Sequence, residues 1–204
     1  MWDAFCKNRY VNETLKSVRP AHAGDVEEIG RIQAQSMHES LVRALEAPLA
    51  PATAAQFDSV AFAQAWLQSL QNLPSAEHHI VVATDGEGVC GFASFAPTEA
   101  LNLPDDQRFA PDAEFFDREP HAYEILNFDV DSGAQDPDHG ARLLAAITDM
   151  VANAQGNEIY VWVFPTDDAL TRMLDAAGFA PRGLRRNFEV DGKDVIQHLW
   201  WTTL

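Results

Sequence analysis

The stretch 130–140, VDSGAQDPDHG, is where residue types and spacing point most directly to chemistry. A β-rich run over 124–130 leads into it. The segment that follows places Leu143, Leu144, Ile147 and Val151 on one helical face. A strand, a glycine-bearing loop and a helix start in that order leave the first N–H groups of the helix unpaired, where the dipole also favours negative charge. Such a junction can hold a phosphate or pyrophosphate, and it can equally be a plain connection. It lacks the Gly-Lys-Ser/Thr of a P-loop and the three spaced glycines of a dinucleotide fingerprint. Other chemistries find less support. The histidines are scattered, with no helix-spaced pair joined by a third donor, so no metal centre is expected. Cys6 and Cys90 form neither a CxxC nor a zinc spacing and read as free thiols. No Gly-x-Ser-x-Gly elbow occurs, and no serine or cysteine stands beside a base and an orienting acid, which disfavours a hydrolase.

From Val130 to Leu144 the chain resembles the acyl-CoA loop of the GNAT acyltransferase superfamily, Val-x-Pro-x-x-Arg/Gln-Gly-x-Gly-x-Gly followed by a Leu-Leu pair. Val130, Gln135, Gly140, Leu143 and Leu144 stand in register without a gap. Ser132 takes the place of the proline, and Asp136 and Asp138 take those of the first two glycines. A second landmark lies in TDDALTRMLDAAGFAPRG, where Ala169, Gly178 and Phe179 fit the family pattern with Asp167 at the asparagine place. Leu174 stands where the family often carries a tyrosine that protonates the CoA sulfur.

The resemblance implies an α/β (α+β) fold. Its central mixed, mostly antiparallel sheet is flanked by helices and carries a splayed pair of central strands. It implies acetyl-CoA as cosubstrate, held by Asp129, Val130, Gln135, Asp136, Asp138, His139, Gly140, Ala141 and Arg142, with the pyrophosphate on N–H groups of residues 136–141. Backbone N–H groups near Asp129 and Val130 would polarise the acyl carbonyl. Glu124, sixteen residues before Gly140, stands where many such enzymes carry a glutamate general base. Tyr123 falls on the opposite strand face and is a poorer partner for it.

Composition sets the surroundings of this chemistry. The chain has 204 residues, 47% of them hydrophobic, with five Trp and twelve Phe, enough for one substantial core. Its net charge of −17 argues against general nucleic-acid binding and favours cationic or amine substrates, although an acidic surface also serves solubility. No run approaches eighteen apolar residues and MWDAFCKNRY has no signal-like pattern, so neither a membrane span nor secretion is expected, and the cytoplasm is.

The elements that must position the site can be read in order. Residues 1–17 form an extension that packs on the body or on a second subunit of a homodimer, and 18–204 form one domain. Val18, Arg19 and Pro20 make a short strand. Asp25 with Glu28 reads as a capping arrangement for a helix from 25 to about 40. Residues 46–56 read as a loop, and Asp58 or Ser59 caps a second helix whose inward face is Phe62, Trp66, Leu67 and Leu70. Runs 79–84 and 89–95 make a hairpin across Asp85-Gly86-Glu87-Gly88. Residues 97–120 are irregular, proline-bearing and acidic, either a lid that gathers carboxylates around a cation or a solvated surface loop. Strands follow at 122–130 and 158–164. Thr166 caps a helix with Leu170, Met173, Leu174 and Ala177 inward and Gly178 as its left-handed stop, and a hairpin over 185–201 turns at Asp191-Gly192.

The functional expectation is transfer of an acetyl group from acetyl-CoA to a primary amine of a small cationic molecule. A second reading, motivated by Asp138 and Leu174, is a module of the same fold that binds CoA or another ligand in regulation or assembly.

Overall fold

The computed structural model describes residues 16–86, 88–101, 121–134 and 138–204. A seven-stranded sheet in the order β1-β2-β3-β4-β5-β7-β6 carries helices on both faces. Its strands are β1 (Lys16–Pro20), β2 (His79–Asp85), β3 (Gly88–Thr98), β4 (Ala122–Val130), β5 (Glu158–Val163), β6 (Ala180–Val190) and β7 (Lys193–Thr203). The helices are α1 (Val26–Leu45), α2 (Pro51–Ala54), α3 (Ser59–Gln71), α4 (His139–Asn153) and α5 (Asp168–Ala176). All pairings are antiparallel except β4 with β5, which run parallel.

Apolar alternation builds the sheet. Val81, Ala93, Phe95, Tyr123, Ile125, Ile159 and Val161 point to the face covered by Leu143, Leu144, Ile147 and Val151 of α4. Val82 and Phe92 point to the other face, against Ile29 and Ile32 of α1, with Trp66 of α3 edge-on to Phe92. Strand β1 begins at Lys16, opposite Asp85, so residues 16 and 17 belong to the sheet and not to an extension. Residues 1–15 and the acidic stretch 102–120 lie outside the described residues.

Helix ends depart from the sequence expectation for local reasons. Asp25 does not cap α1 through its side chain; its carboxylate accepts the His22 N–H at 2.8 Å and closes a 3-10 turn over Ala23–Asp25. Arg19 clamps the same carboxylate with two bonds of 2.8 Å. Helix α1 runs on to Leu45 because Leu41 and Leu45 join a further apolar cluster with Leu49 and Val195; it stops at Glu46, a left-handed residue with φ 51°. Within 46–56, Pro51 starts the single turn α2. The cap of α5 is Asp167 rather than Thr166, its carboxylate accepting the Leu170 N–H at 3.1 Å. Asp58 caps α3, and the β6–β7 turn has positive φ at Asp191 and Gly192, as their residue types require.

Helices α1 and α3 meet backbone to side at Gly30, where a Cβ would stand 2.5 Å from the Ser59 carbonyl oxygen and 2.7 Å from the Ala63 nitrogen. Backbone cannot step aside as a side chain can. Gly30→Ala should therefore cost about 1–3 kcal/mol of unfolding free energy in urea, despite the better helix propensity of alanine. A variant as stable as the parent would show that the two helices are not held this closely.

Candidate active site

The site follows from an interruption in the sheet. β4 is paired with β3 from end to end, from Ala122 opposite Thr98 to Val130 opposite Gly91. β5 pairs with β4 only from Ala122 opposite Glu158 to Ile125 opposite Val161. Past that point the two parallel strands part. The β3–β4 register also slips, Ser94 facing Asn127 and Phe95 facing Ile125, so Leu126 is an extra residue in β4. The bulge reverses which residues face the core. Tyr123 and Ile125 pack toward α4 before it, Phe128 and Val130 after it. Asn127 and Asp129 are thereby turned to the α1 face, where Asn127 accepts the Ser94 hydroxyl at 2.9 Å and Asp129 the Ser36 hydroxyl at 2.5 Å.

Two adjoining cavities fill the gap and share Ser36, Phe128, Asp167 and Leu170 as walls. One, of about 220 Å³, lies between α1, the end of β4 and α5, and includes Val130, Ser132 and Met173. The other, of about 380 Å³, opens between β4 and β5 toward β6 and includes Met37, Leu126, Asp129, Trp162, Arg186 and Phe188.

Along the β4 edge that has lost β5, alternation decides which amides are available. The Asp131 N–H bonds the Cys90 carbonyl at 2.9 Å, so the Asp129 N–H turns to β3 as well, and those of Phe128 and Val130 point into the gap. Of the two amides singled out in the sequence, that of Val130 turns to the gap, whereas Asp129 offers its side chain. That carboxyl is pushed up to about 6 by burial, with the nearby Asp167 charge adding to the effect and the Ser36 bond opposing it.

Glu124 stands half-buried on β4 before the bulge and lines neither cavity. Burial raises its pKa, and the Arg186 charge partly offsets this. Tyr123 is fully buried on the opposite face, its hydroxyl donating to Glu77 at 3.2 Å and its pKa pushed up to about 12. Leu174 is 1% exposed within the main core and lines neither cavity; Leu170 and Met173 of the same helix do so instead. Tyr160, the other hydroxyl near this region, is buried and hydrogen-bonded to Glu158.

At the loop, Gln135 and Asp136 lie outside the described residues. Asp138 is exposed at the start of α4 and makes no side-chain capping bond to that helix. The first turn, His139, Gly140 and Ala141, holds no acidic residue, so the positive end of the dipole is not neutralised from within the helix. His139 is buried at 1% exposure with Nδ1 2.5 Å from an Arg142 guanidinium nitrogen, which leaves its backbone rather than its ring to face a ligand. At Gly140 a Cβ would stand 2.7 Å from Met173 Cε and 3.4 Å from a Val130 methyl, so the flexible Met173 side chain would have to shift to admit one. Glycine lets α4 start close against the cavity wall.

Helix α1 is fastened to the same region. Arg31 bonds Asp131 at 2.6 Å, the Gln35 amide donates to Ser132 at 2.7 Å, and Ser36 holds Asp129. Burial pushes the Asp131 carboxyl up, but the bonds from Arg31 and the Gly133 N–H outweigh it and hold its pKa below the usual range. Sequence reasoning missed this clasp, and an acid within the central strand run NFDV was the available signal for Asp129. Among the described residues, no group of three or more His, Cys, Asp or Glu is placed to hold a metal, and no helix is long and apolar enough to cross a membrane.

No protein-family model and no curated protein matches the sequence. Solved structures do match the fold. Ribosomal-protein-alanine N-acetyltransferase from Brucella melitensis superposes with a TM-score of 0.64 at 17% identity, over 92% of this chain and 99% of that one. yncA from Salmonella typhimurium, solved with acetyl-CoA, gives 0.60 at 16% over 93% and 94%. NAA60 from Arabidopsis thaliana, solved with a bisubstrate analogue, gives 0.62 at 14% over 93% and 98%. The chain therefore has the GNAT N-acetyltransferase fold.

The Asp129 carboxyl yields a prediction with a definite sign. Its folded pKa of about 6 lies above an unfolded value near 3.9, so the fold holds this proton more tightly and loses stability as pH rises from about 4 to about 6. Asp129→Asn keeps an acceptor for Ser36 and removes the charge. It should match the parent near pH 4 and be more stable at pH 8, by up to about 3 kcal/mol. Melting curves at the two pH values measure this, and an equal loss at both would show that the charge is not the costly feature.

Proposed function

We propose that the gap between β4 and β5 is an acyl-transfer site, moving an acetyl group from acetyl-CoA to a primary amine. The observation that carries this reading is the Val130 N–H that alternation turns to the edge of two joined cavities, beside the start of α4. The fold shared with yncA, solved with acetyl-CoA, supports the same assignment. The residues present fit such a cosubstrate. N–H groups over 138–141 can receive the pyrophosphate beside the exposed Asp138, and the smaller cavity can take the acyl-bearing arm.

When bound, acetyl-CoA supplies an activated carbonyl whose C–S bond breaks as the C–N bond to the amine forms. The Val130 N–H is positioned to donate to the carbonyl oxygen as negative charge gathers there. Asp129 and Asp167 present carboxylates to an incoming ammonium in the larger cavity. A carboxylate paired with an ammonium is held ionised, which suits Asp129 to anchoring the amine more than to keeping its proton. Glu124, on the same strand and raised by burial, is proposed as the final proton acceptor, reached through an intervening water. No hydroxyl occupies the usual acid's place at Leu174. An alkyl thiol of pKa about 8.5 leaves tolerably without one.

Two measurements test the reading. Acetyl-CoA at a hundred times its dissociation constant should stabilise the fold by about 2.7 kcal/mol, and the absence of any melting shift at millimolar concentration would reject the site. Glu124→Gln should lower turnover by roughly 10²–10⁴ with acetyl-CoA affinity nearly unchanged. A fully active variant would remove Glu124 from the reaction.

A further inference from the structure

The larger cavity has an uneven chemistry that narrows its occupant. Of the six large apolar side chains most exposed among the described residues, three, Met37, Leu126 and Phe188, line this one cavity from α1, β4 and β6. Leu126 is 55% exposed, an orientation the bulge of β4 imposes on it. Apolar surface gathered around one concavity is the usual mark of a site that receives an apolar group.

The charges are segregated from that surface. Asp129 has a hydroxyl partner, Ser36, and is flanked by Asp167, whose carboxylate caps α5. The cation among the lining residues, Arg186, lies on β6 with its Nε donating to Gln197 at 2.7 Å and its guanidinium 4.7 Å from the centre of the Trp162 ring. One end of the cavity thus favours a single positive charge. A second ammonium farther out would lie against apolar walls and near a like charge, at a cost in desolvation and repulsion.

We infer that the acceptor is a hydrophobic primary monoamine, its ammonium held at Asp129 and its aryl or alkyl body held by Met37, Leu126 and Phe188. The inference rests on the acyl-transfer reading for the word acceptor and refines it. It replaces the small cationic molecule expected from net charge with an amphipathic one. The −17 charge belongs to the whole chain, whereas the cavity wall gathers Met37, Leu126 and Phe188 away from its carboxylates.

The test titrates the full chain, with and without CoA, with 2-phenylethylamine, hexylamine, 1,4-diaminobutane and spermidine. Both monoamines should bind at least about tenfold more tightly than either polyamine. Asp129→Asn should weaken phenylethylamine binding by about tenfold or more, with folding of the variant checked by its melting curve. Phe188→Ser, on an exposed strand position, should weaken phenylethylamine binding several-fold and leave diaminobutane unchanged. Tighter binding of a polyamine, no binding of either monoamine, or indifference to both substitutions overturns the inference. Thiol release from acetyl-CoA on the same samples separates the two claims. Monoamine binding without thiol release keeps this inference and rejects acyl transfer; release with polyamines alone does the reverse.

Discussion

The loss of the ladder between β4 and β5 is the constraint on which the site depends. Two parallel strands that stay paired have no space between them and no spare donors. Here pairing ends at Ile125 and Val161, while β4 goes on to Val130 with its other edge held by β3. The free edge therefore presents a fixed N–H at Val130, and the gap becomes a cavity walled by both sheet and helices. The bulge at Leu126 completes the arrangement, turning Asp129 toward α1 and the Leu126 side chain outward. A regular strand would send the Asp129 carboxylate toward the apolar face that Phe128 and Val130 now occupy.

A strand edge without a partner needs support from elsewhere, and α1 provides it. Arg31, Gln35 and Ser36 reach Asp131, Ser132 and Asp129 in turn, so the end of β4 and the start of the loop are tied to one helix. The two acids in that clasp fare differently. Asp131 has an arginine and is held ionised, whereas Asp129 has a hydroxyl and bears the cost of burial. Leaving a half-buried, desolvated carboxylate without a cation lowers stability unless something else gains. A positively charged ligand group supplies that gain in the proposed site, and function at the expense of stability is the usual pattern where a site must bind charge.

Much of this fold was legible in the sequence because its signals are local. Alternation over 79–95 and 158–164 fixed the strands, Asp85 through Gly88 and Asp191-Gly192 fixed the hairpins, and Leu143 through Val151 fixed the buried face of α4. What escaped depends on partners distant in sequence. Helix α1 continues past Ser40 because β7 supplies Val195 for Leu41 and Leu45 to pack on, and Asp25 serves the turn before the helix because Arg19 and the His22 N–H claim it. The bulge at Leu126 has no signature in ILNFDV, so strand parity alone would put Asn127 and Asp129 on the face of Tyr123 and Ile125 rather than opposite it. Family spacing put Glu124 on the central strand and named Asp129 for its backbone N–H, not for the carboxylate that lines the cavity. Leu174 shows the same limit, since position in a motif says nothing about whether a helix turns that residue to the core.

The central claim is that the Val130 N–H, freed where β5 departs, meets the reacting group of the ligand. Amide resonances of the full-length protein followed during an acetyl-CoA titration test it most directly. The account predicts the largest shifts at Val130 and over residues 138–142, with Val130 moving less when CoA without the acetyl group is used. Saturating shifts confined to another face, with Val130 unmoved by either ligand, would contradict it.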